Sequence, residues 1–190
     1  EGGDYSVTPM DDAMLTRMLH TTLKFDSRVW AEWASGAEVD PRGIAFVLTY
    51  PEVVTGKRTT PRSLTQFFEQ ISSISDLKAE LGLVNTLALS ALDNITTSTF
   101  ISFVNDDLKQ LVNPEDILNA KKFADVEKRI KDLAKSDDGG KRVDRLATIC
   151  TRMFLILTGS DYKPAKVHKE NLIFFMLIEE IPNDLRMSLF

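Results

Sequence analysis

Two arginines have the chemistry and the setting to act on an anion. Arg17 lies within Met10 to Phe25, MDDAMLTRMLHTTLKF, where an acidic pair and a run of apolar residues precede a single cation. Arg62 lies in Thr60-Pro61-Arg62, where a capping threonine and a proline open a helix. A guanidinium is permanently charged and planar, and its fork of donors matches phosphate oxygens. Arg62 falls in the first helical turn, where the helix dipole disfavours a cation. A cation held there needs an anion nearby. A carboxylate of the same chain and a ligand phosphate both satisfy that need, and residue chemistry alone leaves the two open.

The remaining reactive side chains have plainer readings. Asp11-Asp12 has the form of an acid/base pair, yet a helix N-terminus uses such residues as caps, and the cap is the simpler role. His20, alone on an alternating segment, reads as a hydrogen-bonded residue rather than a ligand. Cys150 stands among Ile149, Met153 and Phe154 and reads as a small buried hydrophobe. A Cys150–His168 nucleophile pair is the weaker alternative. The sequence has no GxxxxGK[ST] loop, no HExxH and no CxxC, and its two histidines lie far apart. A self-contained hydrolase therefore has no convergent set of residues behind it, and no metal site is expected.

Composition sets the class. With 43% hydrophobic and 27% charged residues over 190 positions, the chain belongs among ordinary folded proteins, with room for one domain or two small ones. A net charge of −5 gives no bulk attraction to nucleic acid or to an anionic membrane. One cysteine excludes an internal disulfide and fits a reducing, cytoplasmic compartment. The longest apolar run, Leu172 to Ile178, is well short of the ~20 residues of a membrane span. The opening Glu-Gly-Gly-Asp, without an initiator Met, suggests a piece of a longer protein.

The elements that must position the two arginines read as follows. Glu1 to Ser6 is a loop, and Ser6-Val7-Thr8-Pro9 turns into a short helical turn capped by Asp11 or Asp12. Leu19 to Phe25 alternates with period two, which predicts a short half-buried strand. Asp26 or Ser27 then caps a helix with Val29, Trp30, Trp33 and Ala34 as its apolar stripe, and Gly36 ends it. Asp40-Pro41 starts a helix with Ile44, Val47 and Leu48 inward, closed by Tyr50-Pro51. After a polar loop with Lys57 and Arg58, the helix opened by Thr60 turns Leu64, Phe67, Phe68 and Ile71 inward.

From Ile74 to Leu111 two or three helices are expected, with Leu77, Leu81, Val84, Leu87, Leu92, Phe100, Phe103, Val104, Leu108 and Leu111 as core. Asn113-Pro114 is a helix start or a linker. Lys121 to Lys135 is an amphipathic helix with Phe123, Val126, Ile130 and Leu133 inward, and Asp137-Asp138-Gly139-Gly140 is the best break. Two more helices cover Arg142 to Leu157 and His168 to Glu180, and Pro182-Asn183-Asp184 starts a final turn.

This order of elements resembles the C-terminal part of an AAA+ ATPase module of the MoxR-like or dynein-related kind. Ala13-Met14-Leu15-Thr16-Arg17-Met18 is similar to that family's acidic-or-small, Ala-Leu, Arg-Phe segment, with Met18 in place of the common Phe. Thr60-Pro61-Arg62 resembles its sensor-2 motif. The resemblance covers about the first seventy residues. It implies a mainly α fold: a helical lid-type bundle with one short N-terminal strand and an added C-terminal helical segment. In domain terms, 1–25 would be a remnant of the AAA+ core, 26–113 the lid and 114–190 a helical extension.

The resemblance further implies that Arg17 acts as an arginine finger reaching the γ-phosphate on a neighbouring subunit. Arg62 would touch nucleotide bound in its own subunit. The full-length parent would use ATP and Mg²⁺ to remodel a protein substrate as a homo-oligomeric ring, and this fragment alone would have no ATPase activity. The alternative is a helical protein–protein interaction module with no nucleotide role, built on the faces of Lys121 to Lys135 and Leu172 to Ile178.

Overall fold

The computed structural model describes residues 10–21, 24–55, 58–107, 111–135, 141–160 and 162–189. The loop and turn expected over Glu1 to Pro9, together with Thr22, Leu23, Lys57, Leu108 and the break at Asp137 to Gly140, lie outside these residues. The architecture is mainly α. In chain order the helices are α1 (Asp12–Leu15), α2 (Ser27–Gly36), α3 (Pro41–Thr49), α4 (Pro61–Ile71), α5 (Leu81–Ala91) and α6 (Asn94–Ser102). They continue with α7 (Pro114–Leu118), α8 (Phe123–Leu133), α9 (Val143–Thr158), α10 (Lys166–Met176) and α11 (Asn183–Met187). A 3₁₀ turn, Pro51–Thr55, follows α3, and a π turn, Phe103–Asp107, extends α6. Among the described residues no helix is long and apolar enough to cross a membrane.

Local chemistry explains most helix starts. Asp26 accepts from the Arg28 and Val29 N–H groups, Asp40 accepts from Arg42 ahead of Pro41, and Asp93 accepts from Thr96. Thr60 and Ser63 form a reciprocal pair, each hydroxyl accepting from the other's backbone N–H. At the end of α2, Gly36 is the last helical residue, and the left-handed conformation falls instead on Glu38, at φ 56°.

The expected strand over Leu19 to Phe25 is not formed by its described residues. Leu19, His20, Thr21, Lys24 and Phe25 have no strand pairing. Alternation needs a neighbouring strand to complete its hydrogen bonds, and the described residues contain none. A second correction concerns α2. Trp30, Ala31 and Ala34 face inward, whereas Val29 and Trp33 are 65% and 55% exposed. The helix offers two adjacent apolar stripes, and packing selects the one that starts at Ser27.

The chain builds two hydrophobic cores. The first gathers buried residues from Trp30 to Val104 around α3, whose Gly43 to Val47 are buried without interruption. Gly43 is required there, because a Cβ would clash with the Phe68 ring. The second core runs from Val112 to Leu185 and includes Ile117, Val126, Ile130, Leu133, Ile149 and Phe175. Helix α9 joins them: Leu155 packs against the first core, and the Thr148 and Thr49 hydroxyls lie 3.2 Å apart.

Candidate functional site

Arg62 occupies the second helical position of α4, after the Thr60 cap and Pro61. Its side chain is exposed and borders a surface cleft of about 540 Å³ lined by Trp30, Trp33, Pro61, Thr65 and Glu69. Among the described residues Arg62 has neither an ion pair nor a side-chain hydrogen bond. The carboxylate that its helix-terminal position calls for is not supplied by the described chain. Glu69 lines the same cleft without pairing to it.

Arg17 follows the short helix α1, with its backbone N–H donating to the Met14 carbonyl at 3.1 Å. The Asp11 carboxylate accepts from the Ala13 N–H at 3.2 Å, so this acid is the cap. His20 Nε2 lies 2.9 Å from the Leu15 carbonyl, a bond that folds the following segment back on the helix end. The Arg17 side chain is exposed and, among the described residues, also without a partner. Every residue from Met10 to Thr21 is exposed, including Met14, Leu15, Met18 and Leu19. Among the described residues the cleft at Arg62 is lined by α2 and α4, and they do not bring Arg17 and Arg62 into one site.

The nucleophile alternative fails on electrostatics. Cys150 is buried, and desolvation, reinforced by the Asp184 charge, pushes its thiol up to about 12. A thiol in that state keeps its proton and is inert. His168 is engaged elsewhere: Nε2 lies 3.1 Å from Asn119 Oδ1, and the ring stacks on Tyr162.

Sequence reading passed over three polar positions, one half-buried and two buried. Arg42 grips Asp40 with Nε and Nη2 and donates to the Ile71 and Ile74 carbonyls, tying the start of α3 to the end of α4. Thr59 donates to Asp93 at 2.5 Å, joining the loop before α4 to the cap of α6. Arg152 lies 8% exposed on the inner face of α9. Its only signal in the sequence is spacing: it shares a helical stripe with Ile149 and Arg145, where a fully buried face would carry apolar residues.

No protein family, no curated protein and no solved structure matches the chain.

Proposed function

We propose that the chain is the C-terminal, lid-bearing part of a MoxR-like AAA+ ATPase. The carrying observation is that Arg62 stands exposed and unpaired among the described residues, in a helix turn that disfavours a cation. Nucleotide phosphate would supply the missing anion. Arg17, equally exposed and unpaired, is assigned the finger role toward the nucleotide of a neighbouring subunit. Phosphoryl transfer loads charge onto the transferred group's oxygens, and two guanidinium forks from different subunits would offset it.

The exposed apolar side chains of Met14, Leu15, Met18 and Leu19 fit this reading, since α1 has no buried residue. They would be covered by the rest of the ATPase core. Among the described residues no group of three or more His, Cys, Asp or Glu is placed to hold a metal. By the resemblance, the Mg²⁺ ligands and the phosphate-cradling loop would belong to the parent's core, and Arg17 and Arg62 would contribute cationic charge. The parent would work in the cytoplasm as a homo-oligomeric ring that remodels a protein substrate.

The test is ATP turnover of the full-length parent. Arg17→Ala is expected to spare ATP binding and cut turnover about a thousandfold or more, the scale of a lost arginine finger. Mixing it with a subunit defective in nucleotide binding should restore part of the activity. Arg62→Ala is expected to weaken nucleotide affinity about tenfold or more, as loss of a charge-assisted hydrogen bond does. Unchanged turnover and binding in both variants sinks the assignment.

A second reading has its own observation. Ile173, Phe174 and Leu177 are 58%, 51% and 70% exposed on and just after α10, while Phe175 and Ile178 face the core. A helical interaction module without a nucleotide role would use that face, and it becomes the better account if both arginine variants behave as wild type.

A further inference from the structure

A cleft of about 250 Å³ opens where the two cores meet, between the start of α3, the turn leading to α5, and α9. Its polar lining includes Arg42, Asp76, Asn113 and Arg152, and Leu77 and Leu111 supply apolar wall. Arg42 is already committed to Asp40 and to the carbonyls at the end of α4. Arg152 is not. It is more than nine-tenths buried, yet its one partner among the described residues is the neutral Asn113 Oδ1, 3.1 Å from Nη2. Its remaining N–H groups have no partner within the described residues, and its side chain lines the cleft.

A guanidinium buried against one neutral acceptor is a costly arrangement, because burial strips its hydration and no counter-charge replaces it. The effect is visible in its acidity: burial pulls the Arg152 pKa down, and the more distant Glu115 and Asp116 charges oppose that pull only in part. Asp116 has its own cation, Arg129, at 3.8 Å. The Asp76 carboxylate is turned to the backbone, accepting from the Lys78 and Ala79 N–H groups through Oδ1.

We propose that this cleft is a binding site for a small oxyanion ligand, a carboxylate or a phosphate monoester, whose anionic end docks on Arg152. Asn113 accepts from the guanidinium and lines the same cleft. Leu77 and Leu111 would cover an apolar body, and the volume limits the ligand to a small metabolite. Asp76, at the same opening, works against a bare anion and favours a ligand with a hydroxyl or ammonium donor behind its oxyanion. The site stands apart from Arg62 and does not rest on the nucleotide reading. Its apolar wall belongs to the first core and Arg152 to α9, which carries much of the second, so an occupant would also tie α9 to the first core.

The experiment titrates the chain with inorganic phosphate and, separately, with succinate, each against sodium chloride at matched ionic strength. Thermal stability and backbone amide NMR shifts are read together. Saturable shifts at Leu77, Leu111 and Asn113, with a rise in Tm beyond the chloride control, are expected for at least one probe. The probe that saturates at lower concentration identifies a phosphoryl or a carboxylate source. Arg152→Gln should weaken that binding about tenfold or more, the scale of a lost charge-assisted hydrogen bond. Asp76→Asn, which keeps the turn's acceptor and removes the like charge, should tighten it about threefold or more. The absence of saturable binding by either probe overturns the proposal, as does a wild-type response in Arg152→Gln. If Arg152→Gln does not fold, Asp76→Asn decides: affinity no tighter than wild type overturns it.

Discussion

The two cores solve the same packing problem with different materials. The first is aromatic: Phe46, Phe67, Phe68, Phe100 and Phe103 are all fully buried. Phe100 sits at its centre, edge-on to Phe46 at 5.0 Å and to Phe67 at 4.9 Å. Such pairs add about 0.5–1.5 kcal/mol each beyond the area they bury. In the second core Phe175 is the one phenylalanine among the buried residues, and the rest is mostly aliphatic. That core relies on side chains that bond to main chain. Asn171, 4% exposed, donates to the Leu118 and Ala120 carbonyls at 2.9 and 3.0 Å, pinning α10 to the end of α7. Arg186 donates to the Ile178 and Ile181 carbonyls. The comparison teaches that short helices with little apolar face, such as α7 and α11, are held by polar pins where large rings are absent.

The sharpest way to break this contrast is Phe100→Ala. It removes the ring shared by both edge-on pairs and should cost about 3–5 kcal/mol, read by urea denaturation. A loss below about 1.5 kcal/mol would mean that the first core does not depend on its aromatic centre.

Asn171→Ala probes the second core. It leaves one buried and one partly buried carbonyl without their donor and should cost about 2–3 kcal/mol. Its signature is local: Cys150, inert in the folded core, should become labelled by a thiol reagent faster than in wild type at pH 8. If labelling is unchanged while global stability falls, the pin does not belong to the second core alone.

The smallest expected effect tests one of the first core's polar links, Thr59 to Asp93. Burial raises the Asp93 carboxyl pKa, but hydrogen bonds from Thr59, Thr96 and Ile95 outweigh it and hold the group below its usual 3.8. A depressed folded pKa contributes stability that is present above 3.8 and lost as pH falls through the lower folded value. Thr59→Val should therefore cost about 1 kcal/mol at neutral pH, with the gap to wild type closing as acid protonates Asp93. A gap that stays constant down to pH 2 would show that the Thr59–Asp93 bond does not carry the effect.

Much of this was legible in the sequence, for identifiable reasons. Leu64, Phe67, Phe68 and Ile71 are buried as their spacing predicts, and so are Val126, Ile130 and Leu133. Both sets lie on helices with one apolar stripe each, so a single orientation buries them. Helix α2 has two, and its sequence does not say which is turned inward. The alternation of Leu19 to Phe25 has the right period for a strand, but a strand is a property of pairs. Arg62 was legible as a helix-start cation, because its oddity is local. Arg152 was not, because nothing near it in sequence marks the cleft that its side chain borders.

The division follows from the range of the forces. Asp26, Asp40, Thr60 and Asp93 reach backbone N–H groups two or three residues away, so the sequence alone determined where α2, α3, α4 and α6 begin. It determined, equally, that the fold is helical and which faces of α4 and α8 are apolar. Only the tertiary structure decided the split into an aromatic and an aliphatic core, and the choice of stripe on α2. It alone set Arg42 against the Ile71 and Ile74 carbonyls, 29 and 32 residues away in sequence, and Arg152 in a cleft walled by the first core. Those outcomes depend on which surfaces meet, and contacts between distant segments are decided by the packing of the whole chain rather than by any stretch of it.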